Sequence, residues 1–567
     1  MILEGWRRML LTPRGDAAAS WRLPLLLRGR RRRGFAVLAG IGLLQSVLAV
    51  VLALSVKQAL DQLLGAGAGG TAALGTALLA LGALGLSAVL RWREFLEGER
   101  LAQSYVHAVR VAVFRHALRL GEEGMAQTSR SAVLLRFTGD LSPIRLWISR
   151  GLSRGLVAAI SICITLAALM FVDPFIGMVI AASVLMTGVS AIALGPALDK
   201  STRRVRSRRT RVLKHAQERL GRLATIESIG DTKTERQILA GKSNQLAKAS
   251  VSRAGIVGAL RAVSEAGAAV ASLGAFFVGA ALAGFSLVTP GAVVAAMLLA
   301  GLLSPKVQDL TRAFEYWTGA RISIEKQSRF LALRPVGRRK GSSSHSKRLG
   351  QAVGYLRIHQ AAYRDQIANA NLEVGPGDRV WLADSSQRKV LALLQLAAGV
   401  LQPTAGRVTL DGIELRELHR RDTRRHIAMI SSELELFQGS LRSNLTYGVD
   451  RAKADDLDAF IEQFSVAELI NEFPGGLDHR VSESDRQVTA ARQLVFGIVR
   501  ARLADARVIL VNQGDVALEH GEVALVERLL REFDGAVIWV SRASPPVKSF
   551  RRVALVEVEE QPSATGC

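Results

Sequence analysis

The sequence predicts two fold classes in one chain: an all-α domain of six membrane-spanning helices, followed by an α/β domain. The 567 residues exceed the length of a single ordinary domain. A hydrophobic content of 49% and a mean hydropathy of +0.22 are unusual for a soluble protein. Long charge-free runs fill the first part of the chain, whereas short apolar runs alternate with helical segments in the second.

Six stretches in the first part are long enough to cross a bilayer, which requires about 20 apolar residues in a helix. Four of them are separate in the sequence: 34–56, 63–90, 155–172 and 174–198. A further run, 266–305, is long enough for two helices, and Gly284 and Pro290 mark a turn inside it. We therefore expect the last two spans at 266–283 and 290–304.

The distribution of basic residues predicts the orientation of these spans. An arginine cluster at 28–33 precedes the first span, whereas Lys57 is the only basic residue before the second. Both termini are therefore expected in the cytoplasm, in a multi-pass protein of the cell (inner or plasma) membrane. We interpret the cluster as a determinant of this orientation in preference to an anionic-lipid site. The net charge of +25 then requires no nucleic-acid partner, because the arginines gather beside the spans and the expected partner is the lipid bilayer.

One pair of opposite charges lies at the edge of the fifth span. Arg261 and Glu265 are four residues apart on a predicted helix, where a paired charge costs less than a lone one. They either line a substrate path or only pair with each other at the membrane interface. Their position at the cytoplasmic edge favours the second interpretation.

Composition indicates where the second domain begins. A run rich in Gly, Ser and basic residues has the composition of a flexible linker. The expected organisation is a basic cytoplasmic segment 1–33, a membrane domain 34–333 with two long cytoplasmic excursions, the linker 334–350, an α/β domain 351–558 and a tail 559–567. Strand-like runs at 379–383, 408–410, 508–511 and 537–540 alternate with helical segments and predict an α/β sheet.

One segment of the α/β domain is placed like a phosphate-binding loop but lacks the residues that such a loop requires. Such a loop has the pattern G-x-x-x-x-G-K-[ST] between a strand and a helix, because its glycines admit phosphates, its lysine neutralises them and its hydroxyl binds Mg²⁺. The corresponding run, 384–391, contains no glycine, and Val390 and Leu391 occupy the lysine and hydroxyl positions. Lys389 is one residue early, which on a helix is a rotation of about 100°. We expect it to contribute little to phosphate binding.

Four segments in this order resemble those of one known family. They are GRVTLDGIELRELHRRDTRRHIAMI at 406–430, LFQGSLRSNLTYG at 436–448, FPGGLDHRVSE at 473–483 and ARVILV at 506–511. Together with the six preceding spans, they make the chain resemble an ATP-binding-cassette (ABC) exporter half-transporter. The resemblance covers most of the chain and implies that 351–558 is a nucleotide-binding domain.

The resemblance also implies that the usual ATP chemistry is missing, so that this domain is degenerate. The family's magnesium-ordering aspartate and catalytic glutamate match Asn512 and Gln513, its Q-loop glutamine matches Ser432, and its switch histidine matches Ser541. An amide cannot act as a general base. We therefore expect no catalytic residue, no metal ligand and no ATPase activity in this chain alone. ATP is expected to bind weakly, or mainly through a partner chain that also holds Mg²⁺.

Two positions retain features that nucleotide contact requires. Tyr363 matches the family's adenine-stacking aromatic residue, although the same pattern fits a half-buried strand tyrosine. The family's L-S-G-G-Q signature becomes V-T-A-A-R, in which Thr489 keeps a hydroxyl and Ala490 and Ala491 stay small. The signature serves the nucleotide held by the opposite subunit, although Thr489 also fits an ordinary helix cap.

The expected function follows from the contrast between the missing ATP-site residues and the signature segment, which keeps a hydroxyl. The chain is predicted to be the catalytically inactive half of a heterodimeric exporter, with an intact half-transporter as partner and an unidentified transported substrate. The alternative is a membrane scaffold or regulator, possibly a homodimer, that keeps the fold without a motor. The two cysteines, Cys163 and Cys567, predict neither a disulfide framework nor a metal cluster.

Overall fold

A computed structural model gives the structure of the chain. It describes residues 23–64, 70–126, 130–137, 139–229, 231–285, 287–333, 349–350, 352–383, 387–431, 436–482, 485, 487–542, 544–547 and 549–553. The predicted linker is outside the described residues except for Leu349 and Gly350, and so are Ser432, the loop at 384–386, the tail 559–567 and most of the N-terminal segment 1–33. The chain divides into two compact units, Met1–Val336 and Gly337–Cys567.

The first unit is entirely helical in its described part. Its α-helices are α1 (Arg30–Leu64), α2 (Gly70–Ala126), α3 (Arg130–Phe137), α4 (Leu141–Leu146), α5 (Ser153–Val172), α6 (Pro174–Leu220), α7 (Leu223–Ile229), α8 (Thr232–Gly284) and α9 (Pro290–Leu331). A π-helical segment, Trp147–Leu152, joins α4 to α5. Six helical stretches in the described part are long and apolar enough to cross a membrane, which confirms the six predicted spans.

Several of these helices are much longer than a bilayer is thick. Helix α6 has 47 residues and α8 has 53, so they extend about 70 and 80 Å against roughly 30 Å of hydrocarbon. Their polar parts remain helical because each backbone hydrogen bond is local and does not depend on the surrounding solvent. The two predicted excursions are therefore largely continuations of the spans.

Short polar segments set the turns between spans. Asp173 ends α5 and caps α6, since its carboxylate accepts the backbone N–H of Ile176 at 2.9 Å and Pro174 occupies the first helical turn. Thr289 caps α9 in the same way, with Pro290 following it. The turn that Pro290 predicted within 266–305 is thus present.

The charged pair predicted within α8 is arranged differently. A guanidinium nitrogen of Arg261 lies 3.9 Å from a carboxylate oxygen of Glu315 in α9, and Glu315 also pairs with Arg253 at 3.0 Å. Within the described residues no ion pair joins Arg261 to Glu265. The expectation that these two only pair with each other is therefore wrong, because a carboxylate on the neighbouring helix competes for the guanidinium. Both residues line a small pocket between α8 and α9, with Ser264 and Thr311.

The second unit is an α/β domain, as predicted. Its strands are β1 (Leu356–Tyr363), β2 (Ile367–Val374), β3 (Arg379–Leu382), β4 (Ala405–Leu410), β5 (Ile413–Glu414), β6 (Ile427–Ser431), β7 (Gly439–Ser440), β8 (Arg480–Val481), β9 (Val508–Gly514), β10 (Ala536–Ser541) and β11 (Arg551–Val553). Its α-helices are α10 (Gln387–Ala397), α11 (Arg420–His426), α12 (Leu441–Leu445), α13 (Arg451–Asp455), α14 (Leu457–Gln463), α15 (Ala467–Asn471), α16 (Ala490–Leu503) and α17 (His520–Arg531).

The strands form a parallel sheet and an antiparallel sheet. The parallel sheet has the order β11-β3-β10-β9-β6, and the antiparallel sheet has the order β2-β1-β4-β5. The predicted strand at 408–410 therefore lies in a different sheet from the other three. The reason is local, because Asp411 and Gly412 both have positive φ and form a two-residue turn that pairs β4 with β5 antiparallel.

The hydrophobic core covers both faces of the parallel sheet. Strand β10 is buried along its whole length, and the first four residues of β9 are buried too. Parallel strands covered on both faces read as continuous apolar runs, which is why both were recognisable in the sequence. The carboxyl ends of β3, β9 and β10 meet at one edge of this sheet, where the candidate site lies.

Candidate functional site

Helix α10 follows β3, in the place of a phosphate-binding loop. Val390 is 1% exposed and packs into the core with Leu393 and Leu394, and Leu391 is half-buried. Lys389 is half-buried on the same helix. The position of the phosphate-binding lysine therefore holds a core valine, which contributes packing and no charge.

The end of β9 presents two amides, Asn512 and Gln513, which the sequence resemblance matches to the family's two carboxylates. The Asn512 Nδ2 atom donates to the hydroxyl of Ser431 at the end of β6, at 3.4 Å. Gln513 is 7% exposed, and its Nε2 atom donates to the carbonyl oxygen of Val516 at 2.7 Å. Both amides thus make hydrogen bonds that an aspartate or glutamate cannot make, because a carboxylate has no N–H to donate.

The other end of the Gln513 amide is held by β10. The indole Nε1 of Trp539 donates to Gln513 Oε1 at 2.9 Å, and Trp539 is fully buried. A buried Trp N–H requires an acceptor, and Gln513 supplies it. Sequence reasoning missed this contact. The signal available was a tryptophan within the apolar run of β10, beside a strand that ends in an amide.

A second tryptophan ties β3 to the end of β10. Trp381 Nε1 donates to the carbonyl oxygen of Ser541 at 3.2 Å, and Ser541 is 3% exposed. The residue at the family's switch-histidine position is thus part of the buried strand end. Asn512, Gln513 and Ser541 lie together at the carboxyl edge of the sheet.

Tyr363 ends β1 in the antiparallel sheet. Its side chain is 6% exposed and belongs to the hydrophobic core of that sheet. The guanidinium carbon of Arg364 lies 5.2 Å from the centre of its ring. An adenine base would reach this ring only if the side chain moved out of the core.

The signature segment begins helix α16. Thr489 is its N-cap, and its hydroxyl oxygen accepts the backbone N–H of Arg492 at 3.2 Å. Thr489 is exposed, Ala490 is half-buried and Ala491 is 7% exposed. A hydroxyl that accepts one hydrogen bond still carries a proton, so the cap leaves Thr489 able to donate to an anion.

Arg492 and Asp485 hold the chain on either side of Thr489. The Arg492 guanidinium pairs with Glu472, donates to the carbonyl of Gln487 at 3.2 Å and lies 5.2 Å from the ring centre of Phe473. Asp485 accepts the backbone N–H of Gln487 at 3.1 Å and lies 2.6 Å from a ring nitrogen of His479. The hydrogen bond from His479 lowers the pKa of Asp485 below its usual value, so this carboxyl stays ionised. The conformation of the signature segment is therefore stabilised by the contacts of Arg492 and Asp485 and by the Thr489 cap.

Comparison with known proteins defines the class. The family model for the ABC transporter transmembrane region matches residues 36–306, and the model for the ABC transporter domain matches 392–512. The chain belongs to the ABC transporter family and has the domain content of an exporter half-transporter, with one six-span membrane domain followed by one nucleotide-binding domain. The resemblance drawn from the sequence is confirmed.

Several curated proteins are similar to it at low identity. A mouse protein named ATP-binding cassette sub-family B member 10, mitochondrial, is 24% identical over 80% of this chain and 65% of its own length. A multidrug efflux ATP-binding/permease protein of Mycobacterium bovis is 21% identical over 78% of this chain and 37% of its own length. An ATP-dependent lipid A-core flippase of Chromobacterium violaceum is 29% identical over 29% of this chain and 28% of its own length. The matches thus span less than two thirds of each relative.

Proposed function

We propose that this chain is the catalytically inactive half of a heterodimeric ABC exporter. A catalytically intact half-transporter binds ATP and Mg²⁺ and hydrolyses the nucleotide, while this chain supplies half of the membrane pathway. The observation that supports this most is the Gln513 amide, which bonds to Trp539 at one end and Val516 at the other. The position of the family's general base is thereby used to join β9 to β10.

The nucleotide site of this chain is proposed to hold Mg²⁺-ATP weakly or not at all. Neither the amides of Asn512 and Gln513 nor the apolar side chains of Val390 and Leu391 fit a magnesium-bound triphosphate, which requires carboxylate or hydroxyl ligands and a cation. Burial of Tyr363 is in keeping with this. No step of catalysis is therefore assigned to this chain's own half.

The signature segment is proposed to act at the partner's nucleotide. Thr489 is exposed at the start of a 14-residue helix, whose N-terminal N–H groups and dipole favour an anion. We propose that its hydroxyl donates to the terminal phosphate held by the partner, with Ala490 and Ala491 leaving room for that phosphate. ATP would then be hydrolysed at one composite site.

The membrane domain is proposed to lie in the cell (inner or plasma) membrane with both termini in the cytoplasm. The arginine cluster before α1 supports this orientation. Relatives named as a lipid A-core flippase and a multidrug efflux protein suggest an apolar or amphipathic transported molecule. The alternative, a membrane scaffold or regulator without transport, predicts no composite ATPase with any partner.

An ATPase assay with and without the partner tests the proposal. The purified chain in lipid nanodiscs should show background activity, and co-expression with a catalytically intact half-transporter that co-purifies with it should give ATPase activity in the pair. Thr489→Ala should lower the activity of the pair about tenfold or more if its hydroxyl contacts phosphate, whereas Thr489→Ser should keep it. An inactive pair that is properly assembled would favour the scaffold, and a fully active Thr489→Ala pair would refute the phosphate contact alone.

A further inference from the structure

A row of basic residues follows the fourth span on one face of α6. Lys200, Arg204, Arg211 and Lys214 are exposed and recur at intervals of three, four and seven residues, which places them on one face of a helix. Within the described residues, no carboxylate lies within ion-pair distance of any of the four. We call Lys200 and Arg204 the upper pair, and Arg211 and Lys214 the lower pair.

Neighbouring arginines of α6 and α8 are bonded to other groups of the chain, either within α6 or on a neighbouring helix. Arg203 pairs with Asp199 at 3.0 Å, Arg206 donates to the carbonyl of Gly319 at 2.7 Å, and Arg253 pairs with Glu315 at 3.0 Å. The basic residues of this segment therefore fall into two groups. The arginines of the first group bond to other groups of the chain. The second group is the row formed by the upper and lower pairs, which faces outward.

Helix α8 adds a fifth cation beside the upper pair. The two helices are antiparallel, and their register is set by Arg208 with Gln245 and by Arg253 with Thr202. This register places Lys248 level with Arg206, two residues beyond Arg204, on the side of α8 that continues the row. Lys248 is exposed and has no ion pair among the described residues. Along the helix axis, Lys248 is thus about 3 Å from Arg204 and about 9 Å from Lys200.

The depth of these cations differs along α6. The helix begins at Pro174 and its first charge is Asp199. At 1.5 Å per residue, Lys200 and Arg204 lie about 39 and 45 Å from Pro174, and the lower pair lies about 55 to 60 Å from it. A bilayer with its headgroups is about 40 to 45 Å thick, so the upper pair is at headgroup depth and the lower pair is about 10 to 15 Å beyond it. Side chains on α6 also lean toward its N-terminus, which is toward the membrane.

From this arrangement we propose that Lys200, Arg204 and Lys248 bind the phosphodiester headgroup of an anionic phospholipid. Guanidinium and ammonium groups at this depth meet headgroup phosphates directly, and basic residues just outside a span bind anionic lipids in proportion to their number. The lipid would cover the α6–α8 pair where the helices leave the membrane.

The alternative ligand of this row is a soluble polyanion. Comparing substitutions in the upper pair with substitutions in the lower pair distinguishes it from a lipid. A nucleic acid or acidic protein would use the whole row, because the lower pair is equally exposed. A bilayer lipid reaches the upper pair and not the lower one. The two double substitutions Lys200→Gln/Arg204→Gln and Arg211→Gln/Lys214→Gln remove the same charge from the same helix face, so each is the matched control of the other.

The test measures lipid retention by the full-length chain. Protein reconstituted in nanodiscs of equal dioleoyl phosphatidylglycerol and dioleoyl phosphatidylcholine is extracted in mild detergent, and the bound lipid is counted by native mass spectrometry. Wild type should retain phosphatidylglycerol over phosphatidylcholine. The upper-pair variant should weaken phosphatidylglycerol binding about tenfold or more, and the lower-pair variant should change it less than about twofold. Lys248→Gln is a milder variant that should weaken binding in the same direction.

Three outcomes would overturn the proposal. Equal retention of the two lipids by wild type would show that the site does not select an anionic headgroup. Equal loss in the two double variants would show that depth in the membrane does not matter. Binding of inorganic polyphosphate that depends on both pairs, with no preference for phosphatidylglycerol, would identify a soluble polyanion as the occupant.

Discussion

Trp539 and Gln513 form a buried hydrogen bond between neighbouring strands: the indole Nε1 lies 2.9 Å from the amide Oε1. The same amide donates to the carbonyl of Val516 at 2.7 Å. Glutamine at this position satisfies a donor from β10 and an acceptor from the segment after β9. Glutamate satisfies only the first. Glutamine thus makes one more hydrogen bond at this position than glutamate would.

Trp539→Phe should loosen the centre of the parallel sheet. The substitution leaves Gln513 Oε1 buried without its donor, which costs about 1–3 kcal/mol, and it adds a small cavity. Hydrogen exchange followed by mass spectrometry should show β9 and β10 exchanging about tenfold faster or more. Trp92→Phe is the control, because Trp92 is 62% exposed on α2. Unchanged exchange in Trp539→Phe would mean that the hydrogen bond contributes little.

Gln513→Glu should fail to create an ATPase. The new carboxylate would face the carbonyl oxygen of Val516 without a proton to donate, and Asn512 and Val390 would still provide no magnesium ligand or phosphate cation. We expect activity at background and a free energy of unfolding lower by about 1–3 kcal/mol. Gln237→Glu on an exposed face of α8 controls for added charge. ATPase activity appearing in the purified Gln513→Glu chain would contradict the assignment of an inactive site.

Gly291→Ala should destabilise the membrane domain at the start of α9. A Cβ at this position would lie 2.7 Å from the carbonyl oxygen of Lys57 and would collide with the carboxylate of Asp61. That carboxylate accepts the Gly291 backbone N–H at 3.1 Å and the Thr289 hydroxyl at 3.1 Å, so the collision also disturbs a cap that joins α1 to α9. The expected cost is about 1–3 kcal/mol, measured as a lower Tm in detergent.

Gly301→Ala is the matched control for that variant. Gly301 lies in the same helix, and a Cβ there would meet no atom within 4 Å. Because alanine favours a helix over glycine, Tm should stay the same or rise. Similar losses of Tm in both variants would indicate that a glycine in α9 matters for a reason other than its contact with Asp61.

The signature segment should loosen in acid. Because the hydrogen bond from His479 lowers the pKa of folded Asp485, its contribution to stability is complete above the unfolded value of about 4 and is lost as pH falls through the folded value. Limited proteolysis between pH 5 and 2 should therefore show 473–489 becoming cleavable below about pH 4. Asp485→Asn should remove much of this pH dependence, and Asp478→Asn, at an exposed site, should not. Identical profiles for the two variants would contradict the role of Asp485.

Local patterns predicted much of the fold. The spans follow from runs of about 20 apolar residues, and the buried strands of the parallel sheet appear as apolar runs. The caps at Asp173 and Thr289 were not predicted, but they are local too, because each acts on an N–H group three residues away. The sequence also predicted the cap formed by Thr489, because its hydrogen bond to Arg492 spans three residues. Each of these features depends on neighbours along the chain.

Contacts between distant segments were not predictable in this way. The sequence could not pair Trp539 with Gln513, which are 26 residues apart, or move the charge of Arg261 from Glu265 to Glu315. In each case several partners were available, and packing selected one.

The sequence by itself determined the six apolar helices and the nucleotide-binding domain that follows them, and it predicts, from the family resemblance, that Val390, Asn512, Gln513 and Ser541 stand at positions of the family's ATP site. These statements rest on residue type and on periods of a few residues. Only the tertiary structure decided what the replacements do instead, which is to fill a core and join strands, because a buried polar group must find its partner across the fold.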